Sequence, residues 1–142
     1  MSSIRFWRVT IEPEIAVWEK CRDEAVIAIG YTESPEDFNV RRFRDEMNKG
    51  DKVVVFLKNT RVGALGTIVG DYSVDDVTLG GVNWMWRIRK VEWNHISLSG
   101  WSPEDLYDHL NDDIKNALHG RDTVRELTNS QYEEIKRIIL SW

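Results

Sequence analysis

Residues able to do covalent or metal chemistry are sparse in this sequence. His95, His109 and His119 fall on unlike segments, and none forms an HxxxH or HxxE pair that would present two ligands to one metal from a single face. No GxxxxGK[ST] loop cradles a phosphate, no GxGxxG follows a strand, and no GxSxG elbow exposes a nucleophile. The acid pairs Asp75-Asp76 and Asp112-Asp113 are adjacent in sequence, so their side chains diverge and read as solvated surface. Cys21 is the single cysteine, which excludes an internal disulfide and a thiolate zinc site. These absences predict a binding module with no catalytic residue, no metal and no cofactor.

What remains is aromatic surface. Seven tryptophans in 142 residues stand out against an otherwise ordinary globular composition. Trp7 alternates with Val9 and Ile11, Trp93 lies beside Val91 near a strand end, and Trp142 ends the last helix, so these three read as structural. Tyr31 follows a glycine at a strand end, and Trp84 opens a strand after Gly80-Gly81. Such edges are where a barrel mouth gathers ligand-contacting rings. Tyr31, Trp84, Trp86 and Trp18 are therefore the candidates for a pocket that stacks a planar ligand, with core packing as the alternative for each.

A net charge of −5 argues against a polyanion as ligand unless the charges are segregated, and they are. Between Phe38 and Arg61 stand Arg41, Arg42, Arg44, Lys49, Lys52, Lys58 and Arg61 against Asp45, Glu46 and Asp51. Ser102–Lys115 carries Glu104, Asp105, Asp108, Asp112 and Asp113 against one lysine. The basic stretch, with Arg87, Arg89 and Lys90, offers phosphate contacts; a solvated face is the bland alternative.

The elements that must position these groups are legible in the pattern. Arg5–Thr10 predicts a strand, Pro13 to Cys21 a helix with Ile15, Val17, Trp18 and Cys21 on its buried stripe, and Ala25–Ile29 a buried strand ending at Gly30. Ser34-Pro35-Glu36-Asp37 starts a helix to about Asn48, with the serine as cap. Lys52–Leu57 and Arg61–Val69 form a β-hairpin, 70–81 reads as a loop, and Asn83–Trp93 is a long strand whose hydrophobic phase slips near Lys90. Trp84, Trp86 and Ile88 share one face of it, Met85, Arg87 and Arg89 the other. Ser102-Pro103 opens a helix carrying Leu106, Leu110, Ile114 and Leu118, stopped by Gly120. Thr123–Leu127 is a short strand, and Thr128–Gln131 matches a capping box before a final helix with Tyr132, Ile135, Ile138 and Ile139 buried. The expectation is one domain over residues 1–142, an α+β small mixed β-barrel with helices packed around it. With no signal-like start and no apolar run of ~20 residues, a cytoplasmic protein without membrane contact is expected.

Arg5-Phe6-Trp7, Ile29-Gly30-Tyr31-Thr32, Lys49-Gly50-Asp51, Gly63–Gly70 and Gly80–Trp93 together resemble the PUA-like EVE and YTH modules over nearly the whole chain. More closely, Cys21-Arg22, Val26–Gly30, Gly50–Phe56, Ile68–Tyr72 and Arg89–Trp93 look like the N-terminal specificity domains of archaeal McrB-type, modification-dependent restriction proteins. The resemblance implies a module that binds double-stranded DNA carrying a methylated base, N6-methyladenine foremost, by flipping the base into an aromatic cage. Its parent protein would carry an AAA+ GTPase motor working with a separate nuclease subunit. Carried over by position, Tyr31 stands where YTH modules place a cage tryptophan, Thr32 where they place a serine, and Trp84 or Trp86 near the second cage ring. Gly120-Arg121-Asp122 resembles their late Gly-Arg-Asp, whose arginine meets phosphate, which adds Arg121 to the phosphate contacts and Asp122 to the base site. Extruding a base costs a few kcal/mol, and each ring it stacks on returns about 1–3 kcal/mol, so two rings roughly balance it. The alternatives are a reader of modified RNA and a protein-interaction module with no nucleic-acid role.

Overall fold

An unbroken apolar run such as Val53–Leu57 makes a strand whose two faces are both buried, and the architecture follows from what covers each face. The computed structural model describes residues 4–11, 17–30, 37–57, 61–79, 82–101, 112–118 and 123–140. Seven strands are β1 (Phe6–Ile11), β2 (Val26–Gly30), β3 (Lys52–Leu57), β4 (Arg61–Ile68), β5 (Ser73–Leu79), β6 (Val82–Trp101) and β7 (Val124–Leu127). The described helices are α1 (Val17–Glu24), α2 (Phe38–Arg41, continued by a π-helical turn Arg42–Glu46), α3 (Asp112–Leu118) and α4 (Asn129–Leu140). The strands pair in the order β2-β6-β4-β3-β1-β7, with β5 also on β6, and only β1 and β3 run parallel. The result is a mixed α+β fold in which the sheet curls into a half-barrel.

β3 shows how alternation divides the core. Val53, Val55 and Leu57 join Trp7, Val9, Ile11, Trp18, Ile27, Ile29, Val40 and Phe43 inside the curl. Val54 and Phe56 point the other way, onto Ile114 and Leu118 of α3 and Tyr132, Ile135, Ile138 and Ile139 of α4. Helix α4 has the predicted capping box: the Gln131 amide donates to Thr128 Oγ1 at 3.1 Å, and the Thr128 amide to Gln131 Oε1 at 2.9 Å.

β6 serves two partners in turn. Its first half pairs with β2 and β5, and from Val91 onward it pairs with β4. The expected slip near Lys90 falls at this change of partner, while the extra residues of the β4–β6 ladder lie further along β6, at Asn94 between the Gly66–Trp93 and Leu65–His95 pairs and at 97–100 between the Ala64–Ile96 and Val62–Trp101 pairs. In the β3–β4 ladder Gly63 is the extra residue between the Val55–Ala64 and Phe56–Val62 pairs, which lets Gly63 and Ala64 both face the interior. A Cβ on Gly63 would sit 3.1 Å from Trp18, and one on Gly66 3.0 Å from Trp93; the two indoles meet edge to face at 5.4 Å.

Two expectations are corrected. Residues 73–79 form a strand and not a loop, because Leu79 pairs with Val82 across the two-residue Gly80-Gly81 connection and the ladder runs back to Ser73–Ile88. The helix after β2 is capped by Asp37, whose carboxylate accepts the Asn39 amide at 2.8 Å; Ser34 lies outside the described residues. Asn39 in turn is buried and accepts the Val124 amide at 3.0 Å, which ties α2 to β7.

Asp51, 2% exposed, binds the start of the hairpin to β1. Its Oδ1 accepts the Arg5 amide at 3.1 Å, and its Oδ2 accepts the Trp7 indole N–H at 3.0 Å and the Asn48 amide at 2.9 Å. Asp51→Asn turns one acceptor into a donor facing donors and is expected to lower stability by about 2–4 kcal/mol in urea denaturation. Ala25, between α1 and β2, has φ 54°, a left-handed backbone that costs a non-glycine residue about 1–2 kcal/mol. Ala25→Gly is expected to raise the melting temperature by about 2–5 °C, after the extra entropy of glycine in the unfolded chain is subtracted.

Candidate nucleic-acid interface

The aromatic candidates are brought together by the register of β6. Gly30, the last residue of β2, pairs with Trp86, and Trp84 lies two residues back along β6, opposite Val77 of β5. Tyr31 follows Gly30 directly in the chain. Tyr31 and Thr32 lie outside the described residues, as do Arg121 and Asp122, and Trp84 and Trp86 are placed by their backbone alone.

The arginines predicted to contact phosphate divide into two groups. Arg89 is 5% exposed and belongs to the interior. Its guanidinium donates to the carbonyls of Phe43 at 2.8 Å, Arg44 at 3.2 Å and Gly70 at 3.2 Å, so it satisfies the end of the π-helical turn. Burial lowers its pKa, and the charges of Asp71 and Asp51 oppose that shift. Arg87, 3% exposed, donates to the Tyr72 hydroxyl at 2.7 Å, and the Tyr72 ring meets Phe43 edge to face at 6.2 Å. Neither can reach a phosphate outside, so both phosphate assignments are corrected: these residues dock α2 on the strand that carries the tryptophans. Arg89 lies three residues from Trp86, about 10 Å along β6.

The surface group is Arg41, Arg42, Arg44 and Lys90. Arg41 is exposed. Arg42 is half-buried, donates to the Val124 carbonyl at 2.8 Å and lies 4.9 Å above the Phe38 ring. Arg44 grips Asp45 through two bonds of 2.8 Å, and that hydrogen bonding, with the charges of Arg44 and Arg41 behind it, holds the carboxyl below its usual pKa. Lys90 is exposed but pairs with Val26, four residues and about 13 Å from the Gly30 end. The three α2 arginines are thus assembled on one element, and Lys90 stands apart from the tryptophan pair.

Trp18 is also corrected. It is 3% exposed, with its ring against Gly63, Leu57 and Trp93, and so it packs the core and does not offer a face to a base. Trp7 and Trp93 are structural as expected, with Trp93 donating its indole N–H to the Arg22 carbonyl at 3.0 Å. Cys21 is buried, and burial pushes its thiol up to about 12, which suits packing and not nucleophilic chemistry. Among the described residues no three His, Cys, Asp or Glu side chains gather around a possible metal, and no helix is long and apolar enough to cross a membrane. Sequence reasoning missed Phe38, an exposed ring one turn before Arg42, whose spacing on the basic helix was the available signal.

The family model described as "Domain of unknown function (DUF8426)" matches residues 33–115, more than half of the chain and all of α2 through β6. The chain belongs to this family. No curated protein matches the DUF8426 sequence. Solved structures match its fold over nearly the whole length. A hypothetical protein from Leishmania major is 16% identical with a TM-score of 0.67, covering 98% of this chain and 96% of its own. The Pho92 YTH domain, solved in complex with m6A, is 17% identical with a TM-score of 0.65, covering 97% and 84%. The YTH domain of the Zygosaccharomyces rouxii MRB1 protein, solved in complex with N6-methyladenosine RNA, is 14% identical with a TM-score of 0.65, covering 96% and 87%. The DUF8426 chain therefore has a YTH-like fold.

Arg89→Ala leaves three carbonyls without their donor and is expected to cost about 2–4 kcal/mol of stability. Arg41→Ala is expected to stay within about 0.5 kcal/mol of the parent. Thermal denaturation of the two variants side by side separates the interior arginines from the surface ones.

Proposed function

We propose that this chain is a reader of a methylated base in nucleic acid, with N6-methyladenine as the preferred base, and that it does no covalent chemistry itself. The observation that carries the reading is the juxtaposition at the end of β2: Gly30, followed at once by Tyr31, pairs with Trp86, with Trp84 two residues away. The YTH-like fold and the complexes of two such domains with m6A and with N6-methyladenosine RNA support the choice of base. In this reading Tyr31 and Trp84 or Trp86 sandwich a flipped base, and Thr32 and Asp122 meet its polar edge. Arg41, Arg42, Arg44 and Arg121 meet the flanking phosphates.

For the polymer we propose DNA, on the strength of the McrB-like segments named above. The chain would then be the specificity module of a modification-dependent restriction protein, upstream of a GTPase motor and a nuclease subunit. The second reading is modified RNA, favoured by the RNA bound to the Zygosaccharomyces rouxii domain. In either case phosphate contacts position the strand while the base site discriminates.

Titration of this chain with matched oligonucleotides, methylated and unmethylated, as single-stranded RNA, single-stranded DNA and duplex DNA, decides both questions. The methylated form is expected to bind about 10- to 200-fold tighter, the range one methyl group earns in an apolar pocket. Tyr31→Ala and Trp84→Ala are expected to abolish that ratio while leaving the melting temperature within a few degrees. Equal affinity for methylated and unmethylated strands in all three polymers would sink the reading, and a preference for RNA would move the chain to the second one.

A further inference from the structure

Helix α2 carries a surface cleft of about 430 Å³ lined by Phe38, Arg41, Arg42, Asp45 and Glu46. That volume is in the range of small-ligand sites. Its composition looks self-neutralising, two arginines against two acids, but the pairing is otherwise. Asp45 is held by Arg44 through both oxygens, and Glu46 meets Arg5 at 3.4 Å; neither of those arginines lines the cleft. Arg42 donates to the neutral Val124 carbonyl and its charge acts on Glu126, while the Arg41 side chain makes no hydrogen bond among the described residues and its charge acts on Asp45. Arg5 is shared with Glu126 at 2.6 Å, so the cleft and its edge hold Arg5, Arg41, Arg42 and Arg44 against Asp45, Glu46 and Glu126, a balance that leans positive. Its one aromatic wall, Phe38, is 42% exposed, with the Arg42 guanidinium lying 4.9 Å from its ring centre and fixed there by the bond to Val124.

From these observations we infer that the cleft is a nucleotide subsite, in which a base stacks on the Phe38–Arg42 platform and Arg41 holds the adjoining phosphate. An exposed ring takes any base by its π-face, and a guanidinium adds a cation–π contribution, so the subsite is indifferent to sequence and to methylation. The inference rests on the reading of the chain as a nucleic-acid binder and adds to it a second point of attachment. Gly30 and Phe38 are eight residues apart, so at most about 28 Å separates this platform from the end of β2, and one strand can engage both.

The test uses the full chain with three probes: a methylated ten-nucleotide single strand, its unmethylated twin, and the free nucleoside N6-methyladenosine. Phe38→Ala and Phe38→Leu, the second keeping apolar bulk without a π-face, are expected to weaken both oligonucleotides by the same factor, about 5- to 100-fold. The methylated-to-unmethylated ratio, the affinity for the nucleoside and the melting temperature should stay at parent values. Arg41→Ala is expected to lower the slope of log affinity against log salt by about one. Unchanged oligonucleotide affinity in both Phe38 variants overturns the subsite and leaves the methyl-reader reading standing. Loss of oligonucleotide affinity in those variants, in a parent that shows no methyl preference, supports the subsite and removes that reading. A parent that binds neither oligonucleotide overturns both.

Discussion

A buried carboxylate sets the frame of this molecule. Asp51 receives three N–H donors from two strands of chain, and its own carbonyl accepts the Ile68 amide at 2.9 Å. β1 and β3 run parallel, so no tight turn can align them, and the polar clamp at their shared start fixes the register from Phe6–Lys52 to Ile11–Leu57. Once that register is fixed, β4 follows by its hairpin, β6 by its ladder to β4, and the tryptophans of β6 by their position on that strand. The clamp is far in sequence from the aromatic residues it ultimately places.

Most elements were legible because their signals are local. β-Branched and aromatic residues marked β1, the turn signals Gly50-Asp51 and Asn59-Thr60 marked β3 and β4, a glycine marked the end of β2, and the Thr128–Gln131 pair the start of α4. β5 was missed because Asp75 and Asp76 interrupt its apolar pattern, although Gly80-Gly81 between two β-branched stretches was a turn signal. The π-helical turn depends on a tertiary partner, Arg89, that no local window contains, whereas the Asp37 cap is a local bond to the Asn39 amide that the Ser34-Pro35 signal upstream overshadowed. The half-barrel was expected from the order of elements and from the resemblance together.

Among the basic residues, charge in the sequence did not separate surface from interior. The cluster Arg41, Arg42 and Arg44 is a surface feature of α2, whereas Arg87 and Arg89, equally basic in sequence, are spent inside on Tyr72 and on backbone carbonyls. Charge alone cannot make that distinction, since an arginine on a strand buried on both faces must either find acceptors or not occur. The same holds for Trp18: helical spacing put it on an apolar stripe, and the stripe faces the core. The interior arginines hold the basic helix against the strand that carries Trp84 and Trp86.

Gly63 and Gly66 leave notches for Trp18 and Trp93, and the two rings fill both notches while touching each other. Four positions on three elements therefore share one fixed volume. An alanine at 63 or 66 demands a smaller ring at 18 or 93, and a smaller ring alone leaves a void that the alanine would fill. Among descendants of this sequence these sites should drift as a compensating set, with bulk passed between strand and helix while the sum stays constant.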